Sequence, residues 1–363
     1  MKMNLELISP GFCGGAQPKT RAEIRVPSIR GQLRWWFRLL GGFASQRQKG
    51  MGLREQEDII FGAARKDKCQ ASQLHVRVRL TRDAHSTPKN LRDMNKAYDF
   101  LLFPLRPADQ KKNPNALQEA KRAVFDDCLP SFELHLNWRG DAEWGADIEA
   151  LGFLFGYLGS LGMRSRRAMG ALAFAPDNDQ RIPLFAEVIR HFAEPGSLCI
   201  REIAMADRED PVSVLASWLR NWRAYLNQDM EPNEGAPGFS YAKNDHDVGF
   251  LFEKQGQTTY RPALGLPIIQ RYRNANLTVN WEPAEEGMER FASPVILRPY
   301  RSPHTGLKKA LVFFVDKYAW PPQAEVALRS GFANEGRHKV SLEMYQHMKQ
   351  DPKLFPVKEL SPD

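Results

Sequence analysis

The chain has 363 residues, 42% of them apolar, with 51 Lys or Arg against 43 Asp or Glu and a formal net charge of +8. This length suits two domains of average size, and the apolar fraction lets each bury a core, which excludes a disordered tail protein. The apolar runs, such as ALVFFV at 310–315, are far too short to span a bilayer, so we expect no membrane partner.

The positive charge is concentrated at one end of the chain. Residues 1–50 hold nine Lys or Arg and only two acids, Glu6 and Glu23, so they carry a net +7 and the remaining residues about +1. A clustered basic footprint is typical of a protein that binds a polyanion such as nucleic acid. The alternative is a solubility bias with no partner.

Cysteine usage and the amino-terminal segment indicate the compartment. The cysteines are far apart and form no C-x-x-C pair, so they predict reduced thiols rather than a disulfide framework or a zinc site. They are Cys13, Cys69, Cys128 and Cys199. The first residues, MKMNLELISPGF, lack the apolar core of a signal peptide. We therefore expect a cytoplasmic protein without a metal or another cofactor.

The first 175 residues combine strand and helix patterns. Alternating charged or polar and apolar residues predict extended segments at 2–8, 21–27, 74–80 and 132–138. Helices are predicted at 28–40, 55–62 and 147–162, and a last strand ends at residue 174. This order predicts an α+β fold with a ferredoxin-like layout.

The polar segment PDNDQR at 176–181 is the predicted boundary between two domains, 1–175 and 176–363. Beyond it, helices are predicted at 212–226 and near 338–349, and extended segments at 262–273, 292–300 and 309–315.

The segment RVPSIRGQLRWWFR at 25–38 is one main candidate for binding a polyanion. Ser28 is a plausible N-cap, and a helix from there to about Leu40 places four large apolar residues on one face. That face, which we predict to be core, holds Leu33, Trp36, Phe37 and Leu40.

Charged side chains form a stripe beside that face, namely Arg30, Arg34 and Arg38, and the segment contains no acid near them. The start of a helix offers free N–H groups and a positive dipole end that suit phosphate. We therefore predict that the stripe, with Arg25 and Ser28, binds an RNA backbone. Trp35 lies nearly opposite the core face and is predicted to stack on a base or to contact a partner protein. The alternative is a solvated flank of a core helix.

The second candidate is the Gly–Arg loop, residues 162–167, which joins a helix punctuated by glycines to a strand. Glycine permits sharp turns and close approach of a ligand, and arginines without a nearby acid favour a polyanion as counter-charge. The loop lacks the Gly-Lys-Ser/Thr ending of a Walker loop. We predict phosphate binding by Arg164, Ser165, Arg166 and Arg167. The alternative is a tight turn with solvated arginines.

Two stretches of the second half also carry basic residues without acids. TTYRPALGLPIIQRYR holds Arg261, Arg271 and Arg273, and RFASPVILRPYRSPHTGLKK holds Arg290 and Arg298 among others. Each joins Gly or Pro to a short strand, so an RNA contact and an ordinary turn followed by a core strand both remain open for these arginines.

A catalytic constellation is not evident. A metal-free ribonuclease needs a general base and acid near the RNA, and the candidates are His75, His135, His246 and His304. The first two fall on predicted strands, and His246 lies between two aspartates in a predicted polar loop. His304, in the basic stretch of the second half, is the least poor candidate. We predict that the protein is not an enzyme.

Five segments in chain order, between residues 21 and 300, resemble the RAMP superfamily. They are EIRVPSIRGQLRWWFRLL, DIIFG, LGSLGMRSRRAMGAL, YRPALGLPI and RFASPVILRPY. The S-x-R-G-x-L-R pattern and the Gly–Arg loop are fairly specific to this superfamily. The paired tryptophans and the GLP and ASP elements are most similar to the first-numbered RAMP subunit of the Cmr complex, the type III-B CRISPR effector. Segments 83–131 and 176–255 match nothing comparable.

The resemblance implies two tandem ferredoxin-like, RNA-recognition-like domains. It implies a non-catalytic subunit at the capping end of a RAMP filament, with guide RNA, target single-stranded RNA and other RAMP subunits as partners. Many RAMP proteins carry Lys where this chain has Arg30, and Arg keeps the charge and adds bidentate contacts to phosphate. A RAMP endoribonuclease that processes guide RNA, and a scaffold that contacts only proteins, are the competing hypotheses.

Overall fold

The structure, a computed structural model, describes residues 1–66, 68–82, 84–105, 115–178, 180–227, 229, 231–251, 253–272, 275, 277–321, 323–330 and 334–361. It confirms a mixed α+β fold. The helices are α1 Val26–Leu39, α2 Ala44–Gln48, α3 Leu53–Phe61, α4 Asp99–Leu102, α5 Ala116–Glu119, α6 Gly145–Leu158, α7 Phe185–Ile189, α8 Pro211–Arg223, α9 Phe239–Phe250 and α10 Glu343–Lys349. In the part of the chain so described, no helix is long and apolar enough to cross a membrane.

The strands are mostly short. They are β1 Lys2–Leu7, β2 Ala63–Arg65, β3 Lys68–Gln70, β4 Leu74–Arg82, β5 Thr87–Lys89, β6 Arg122–Val124, β7 Ser131–Trp138, β8 Leu172–Phe174, β9 Cys199–Ile203, β10 Thr258–Thr259, β11 Ile268–Tyr272, β12 Leu277–Pro283, β13 Val295–Arg301, β14 Lys308–Phe314, β15 Glu325–Ser330, β16 Asn334–Val340 and β17 Leu354–Pro356. The predicted strands at 2–8, 74–80 and 132–138 are confirmed as β1, β4 and β7.

The chain forms two compact units, and each unit is assembled from segments that are separated in the sequence. The first contains residues 1–215, 297–312 and 355–363, and the second contains residues 216–296 and 313–354. The polar segment at 176–181 lies within the first unit. The predicted division into domains 1–175 and 176–363 stays a prediction.

The main sheet of the first unit has the strand order β4-β7-β1-β8, and all of its pairs are antiparallel. Helix α1 follows β1 in the chain and α6 follows β7, and both helices pack against strands of this sheet and against each other. The helices cover one face of the sheet because apolar and polar residues alternate along the strands. Leu5 of β1 and Leu134 of β7 are wholly buried, whereas their polar neighbours in the same strands lie on the opposite face.

Helix α1 begins two residues earlier than predicted. Arg25, in an extended conformation, is its N-cap, so Ser28 lies inside the first turn and does not cap the helix. Pro27 accounts for the earlier start, because the first turn of a helix leaves N–H groups unpaired and proline has none to lose. The predicted core positions Trp36 and Phe37 are confirmed, with 3% and 0% of their surface exposed.

Arg298, on β13, is a buried structural residue of the first unit. Its guanidinium group is 1% exposed and donates hydrogen bonds to the backbone oxygens of Tyr157, Gly159 and Leu172 and to Oγ of Ser160. It thereby joins the end of α6 to the start of β8, which are the two ends of the Gly–Arg loop region. Both terminal nitrogens of its guanidinium group are thus used inside the protein, and the RNA contact predicted for Arg298 stays a prediction without support from its position.

The second unit has a five-stranded sheet with the order β10-β16-β15-β12-β11. Its core is built around Trp281, which is wholly buried with Val279, Val326 and Leu328. Helix α9 was not predicted, and it overturns the polar loop expected at 245–247. Asp245 of this helix is wholly buried and accepts hydrogen bonds from the backbone N–H groups of residues 260 and 261. These bonds fasten the polar helix to the segment that follows β10.

Replacing Arg298 with Met should destabilise the first unit. The substitution removes the charged donor from four buried acceptors, and losses of this kind cost about 3 to 5 kcal/mol of unfolding free energy. Urea unfolding followed by circular dichroism measures the change. The control is Arg290→Met, at an exposed position, for which we expect a change within about 0.5 kcal/mol. A loss below about 1 kcal/mol for Arg298→Met would contradict its structural role.

Candidate nucleic-acid interface

A groove of about 430 Å³ lies where the first turns of α1 meet the Gly–Arg loop in the first unit. The start of β6 and the loop after β1 complete its walls. Its lining contains no acid and is formed by Phe12, Gly14, Pro18, Ser28, Gly31, Gln32, Arg122, Ala123, Leu161, Gly162 and Met163. The two motifs that lie about 130 residues apart in the sequence therefore share one surface.

On the helix side, the groove is lined by Ser28, Gly31 and Gln32, one turn of α1. A Cβ atom added to Gly31 would meet nothing within 4 Å, so packing within the described protein does not require glycine there. Glycine inside a helix costs about 1 kcal/mol relative to alanine. Glycine at this position leaves the helix backbone open to close approach from the groove. Arg25 and Ser28 are both exposed at this positive end of the helix.

On the loop side, the backbone adopts unusual conformations. Gly162 has φ +85°, and a Cβ atom there would lie 2.5 Å from the backbone oxygen of Phe12, so only glycine fits. Arg164 and Ala168 also lie in the left-handed region, with φ of +65° and +67°, which is strained for residues other than glycine. Such strain concentrates at functional sites because the surrounding structure must maintain it.

The arginines of the Gly–Arg loop differ in how available they are. Arg164 donates from Nε to the backbone oxygen of Leu101 (2.7 Å), and burial lowers the pKa of its guanidinium to about 10. Arg166 lies over the ring of Trp35, 5.0 Å from its centroid. Arg167 is buried, with 7% of its surface exposed. Ser165 is half-buried. The loop therefore presents mainly its backbone and its half-buried side chains at the surface.

The Arg stripe of α1 has protein partners, which corrects the expectation that it has no local acid. Arg30 donates to the backbone oxygens of Leu74 and Phe61, at 2.9 and 3.0 Å. Arg34 donates to the backbone oxygens of Phe61 and Gly62, both at 3.2 Å. The carbonyls of Phe61 and Gly62 lie at and just after the carboxyl end of α3, where helix carbonyls lack partners and the dipole attracts cations, whereas that of Leu74 lies at the start of β4.

A single acid completes this arrangement. Glu57 of α3 accepts two hydrogen bonds from Arg38, at 2.5 and 2.6 Å, and lies 3.3 Å from Nε of Arg34. Burial and the charge of Arg34 lower the pKa of Arg30. Because the stripe is used to fasten α3 to α1, its side chains are committed to the fold. The groove lies on the turn that carries Ser28 and Gln32 instead.

Trp35 is half-buried and makes an edge contact with Trp36, with 4.7 Å between ring centroids. Its face is covered in part by Arg166. The predicted stacking of Trp35 on a base or a partner stays a prediction.

The lining of the groove includes none of the predicted residues of the second half that the structure describes. In the second unit, Arg261 is bonded to Asp245 (3.2 Å) and Gln270 (2.9 Å), whereas Arg271 and Arg290 are exposed. Arg273 lies outside the described residues. RNA contacts by Arg271 and Arg290 stay predictions.

His304, the candidate base, lies in the first unit but lines a different pocket of about 480 Å³. Its Nε2 is 2.9 Å from the hydroxyl of Tyr157, and that hydroxyl donates to the backbone oxygen of Pro183 (2.7 Å). Because the hydroxyl proton is used in the bond to Pro183, the hydroxyl oxygen accepts the second hydrogen bond. Nε2 of His304 is therefore its donor and carries the proton. Among the described residues, no group of three or more His, Cys, Asp or Glu is arranged to hold a metal ion.

Sequence reasoning missed several lining residues. Gly31 was part of the helix motif without a role of its own, and no role was predicted for Phe12, Gly14 or Arg122. The signal available for the first of these is a glycine inside a strongly amphipathic helix, where no turn requires it. The run GFCGG at 11–15 is a second signal, because clustered glycines allow a backbone to border a ligand.

Part of this chain is similar in sequence to known proteins. The sequence model of the RAMP superfamily matches residues 4–173. The CRISPR system Cmr subunit Cmr1-2 of Pyrococcus furiosus is 27% identical over 179 residues, which cover 47% of this chain and 91% of that protein. Cmr subunit Cmr1-1 of the same organism is 38% identical over 71 residues, covering 19% of this chain and 18% of that protein. The crystal structure of apo Cmr1 from Pyrococcus furiosus aligns over 86% of each chain, with a TM-score of 0.49 and 15% identity.

Replacing Arg30 with Ala should destabilise the protein by about 2 kcal/mol. The substitution removes the charged donor from the backbone oxygen of Leu74 and one of the two charged donors from that of Phe61. Thermal or urea unfolding measures the change. Arg25→Ala, five residues earlier and exposed, is the matched control and should change stability by less than about 0.5 kcal/mol. Equal effects of the two substitutions would refute the structural role of the stripe.

Proposed function

We propose that the chain is a non-catalytic, RNA-binding subunit of a type III-B CRISPR effector complex, and the premise of this proposal is the match of residues 4–173 to the sequence model of the RAMP superfamily. The names of the Pyrococcus furiosus relatives, which are subunits of a CRISPR Cmr system, support the choice of complex. Other RAMP subunits, guide RNA and target single-stranded RNA are then its partners. Within such a complex we assign it to the capping end of the RAMP filament, near the 3′ region of the guide.

One observation carries the RNA-binding part. Ser28, Gly31 and Gln32 from the helix motif and Gly162 and Met163 from the Gly–Arg loop line one groove. Both motifs lie within residues 4–173, the part of the chain that matches the superfamily. Segments so distant in the sequence converge on one surface when that surface has a shared ligand or a shared packing role. Gly31 has open space around it, which favours the ligand.

The chemistry of the groove suits a phosphate backbone. Its lining has no carboxylate, Arg122 contributes a positive charge, and exposed Arg25 precedes the first turn of α1. The N–H groups at the start of α1 and the positive end of its dipole add to this potential. Such contacts hold RNA in register without reading its bases, so we expect binding that tolerates sequence changes and weakens with salt.

The fold of the first unit is consistent with a ferredoxin-like domain, which we propose for it. Its elements β1, α1, β4, β7, α6 and β8 follow the order β-α-β-β-α-β, and the antiparallel sheet places β1 and β7 at its centre. We extend the proposal of a ferredoxin-like domain to the second half of the chain on the resemblance alone.

Guide-RNA processing by His304 is the competing function, and one experiment separates the two. The purified chain is incubated with CRISPR repeat RNA in EDTA, beside His304→Ala. A non-catalytic subunit leaves the RNA intact in both samples. Cleavage at one site by the wild type, lost in the variant, would assign a nuclease to the His304 pocket.

Gly31→Glu should weaken RNA binding at least tenfold. The new carboxylate has room to project from α1 into the groove, where it repels phosphate. Fluorescence anisotropy with labelled single-stranded RNA, at about 50 to 200 mM salt, measures the affinity. Gly31→Ala should instead raise the unfolding free energy by about 0.5 to 1 kcal/mol, because alanine is the better helix former.

Gly145→Glu is the matched control. Gly145 is also a helix glycine, at the first position of α6, and a Cβ atom there likewise meets nothing within 4 Å, but it does not line the groove. The control should bind RNA like the wild type. If Gly31→Glu also binds normally, the groove is not the RNA site.

A further inference from the structure

The face of the first-unit sheet opposite its helices carries a group of basic side chains. In β4, Leu74 and Val76 are buried, whereas the alternating His75, Arg77 and Arg79 are exposed. Because successive side chains of a strand point to opposite faces, these three share the face away from the core. None of them lines the groove or forms part of the Arg stripe of α1.

The pairing of strands extends this face across β7 and β1. Arg77 is paired with His135, and His135 is paired with Lys2, so three basic or ionisable side chains form a row across three strands. Neighbouring strands are about 4.8 Å apart, and alternate residues of a strand are about 6.8 Å apart. Arg77 and Arg79 are therefore spaced to contact successive phosphates of an extended strand.

Two acids lie on this face, Glu6 and Glu133, and both are already paired with basic side chains. Glu6 of β1 pairs with Arg82 and Arg301. Glu133 lies 2.6 Å from Nζ of Lys2 and is hydrogen-bonded to Nε2 of His135. The hydrogen bond from Lys2, and next that from His135, lowers the pKa of the Glu133 carboxyl. Among the described residues, Arg77 and Arg79 make no ion pair, although Arg79 is paired in register with Glu133.

We propose that this basic sheet face, formed by Lys2, His75, Arg77, Arg79 and His135, is a second RNA-binding surface that contacts the sugar-phosphate backbone, an inference that rests on the proposed RNA-binding function. It adds a site that shares no residue with the groove.

The composition of the face selects the backbone of RNA over other ligands. RNA-recognition sheets that read bases stack them on aromatic side chains. The central strands carry His135, Glu133 and Asn137 on this face instead, with Lys2 and Asn4 beside them. Protein interfaces need an apolar centre, and the exposed apolar side chain of β4, Leu80, lies on the other face of the sheet because it follows Arg79 in the strand. Exposed arginines without an acid partner match phosphates by charge.

The test uses the full chain and a labelled single-stranded RNA long enough to cover both surfaces. Arg77→Ala/Arg79→Ala should bind roughly tenfold more weakly at low salt, with the slope of log affinity against log salt reduced by about 1.4 for two lost phosphate contacts. Arg77→Lys/Arg79→Lys should restore most of the slope, because it keeps both charges. Circular dichroism should remain that of the wild type, since both positions are exposed.

The control removes two exposed positive charges elsewhere, by Arg208→Ala/Lys254→Ala, and should leave the affinity and slope close to wild type. Wild-type affinity and slope for Arg77→Ala/Arg79→Ala would overturn the inference. The inference would also be overturned if Arg77→Ala/Arg79→Ala lost binding to polyglutamate but kept binding to RNA, because the face would then bind an acidic protein.

Gly31→Glu, measured in parallel, distinguishes the two sites. Normal binding by Gly31→Glu with weak binding by Arg77→Ala/Arg79→Ala would sustain the sheet face and remove the groove. The reverse result would sustain the groove alone. Absence of RNA binding by the wild-type chain would overturn both.

Discussion

The candidate groove depends on a buried guanidinium group. A helix ends with carbonyl groups that have no partner within it, and α6 ends inside the protein where water cannot supply one. Arg298 donates to the oxygens of Tyr157 and Gly159 there and to Leu172 in the next strand. Burial lowers its pKa to about 9, which reflects the cost of keeping the charge inside. The bonded geometry that results fixes both ends of the Gly–Arg loop, and so fixes one wall of the groove.

Some arginines of this chain bond to partners inside the fold and others are exposed, and the sequence alone does not separate the two groups. The strands of the main sheet were predictable because LHVRVRL and FELHLNW alternate, and Trp36 and Phe37 were predictable as core because helical periodicity is a local property. The partners of Arg34 and Arg38 were not predictable, because Glu57 lies 19 residues beyond Arg38 and becomes a neighbour only when α3 folds against α1. Arg298 looked in the sequence like Arg271 and Arg290, which are exposed, and is buried instead.

Buried polar residues explain the other differences between the predicted and the observed structure. Helix α9 contains Asn, Asp and His, and its pattern suggested a loop, yet Asp245 is wholly buried and holds two backbone N–H groups. Burial raises the pKa of Asp245, while Arg261 and these N–H groups oppose the change. Such a residue stabilises structure through partners that only the tertiary fold supplies. Gly31 is the opposite case, since its informative property is the open space beside it.

The interleaved course of the chain has a consequence for biosynthesis. The Gly–Arg loop leaves the ribosome well over a hundred residues before Arg298, and strands at 297–301 and 308–312 return to the first unit only after most of the second has been made. A nascent chain that ends at residue 175 contains both groove motifs but lacks the donor for the carbonyls at the end of α6. Because contacts so distant in sequence form late, the groove reaches its final geometry only near the end of translation.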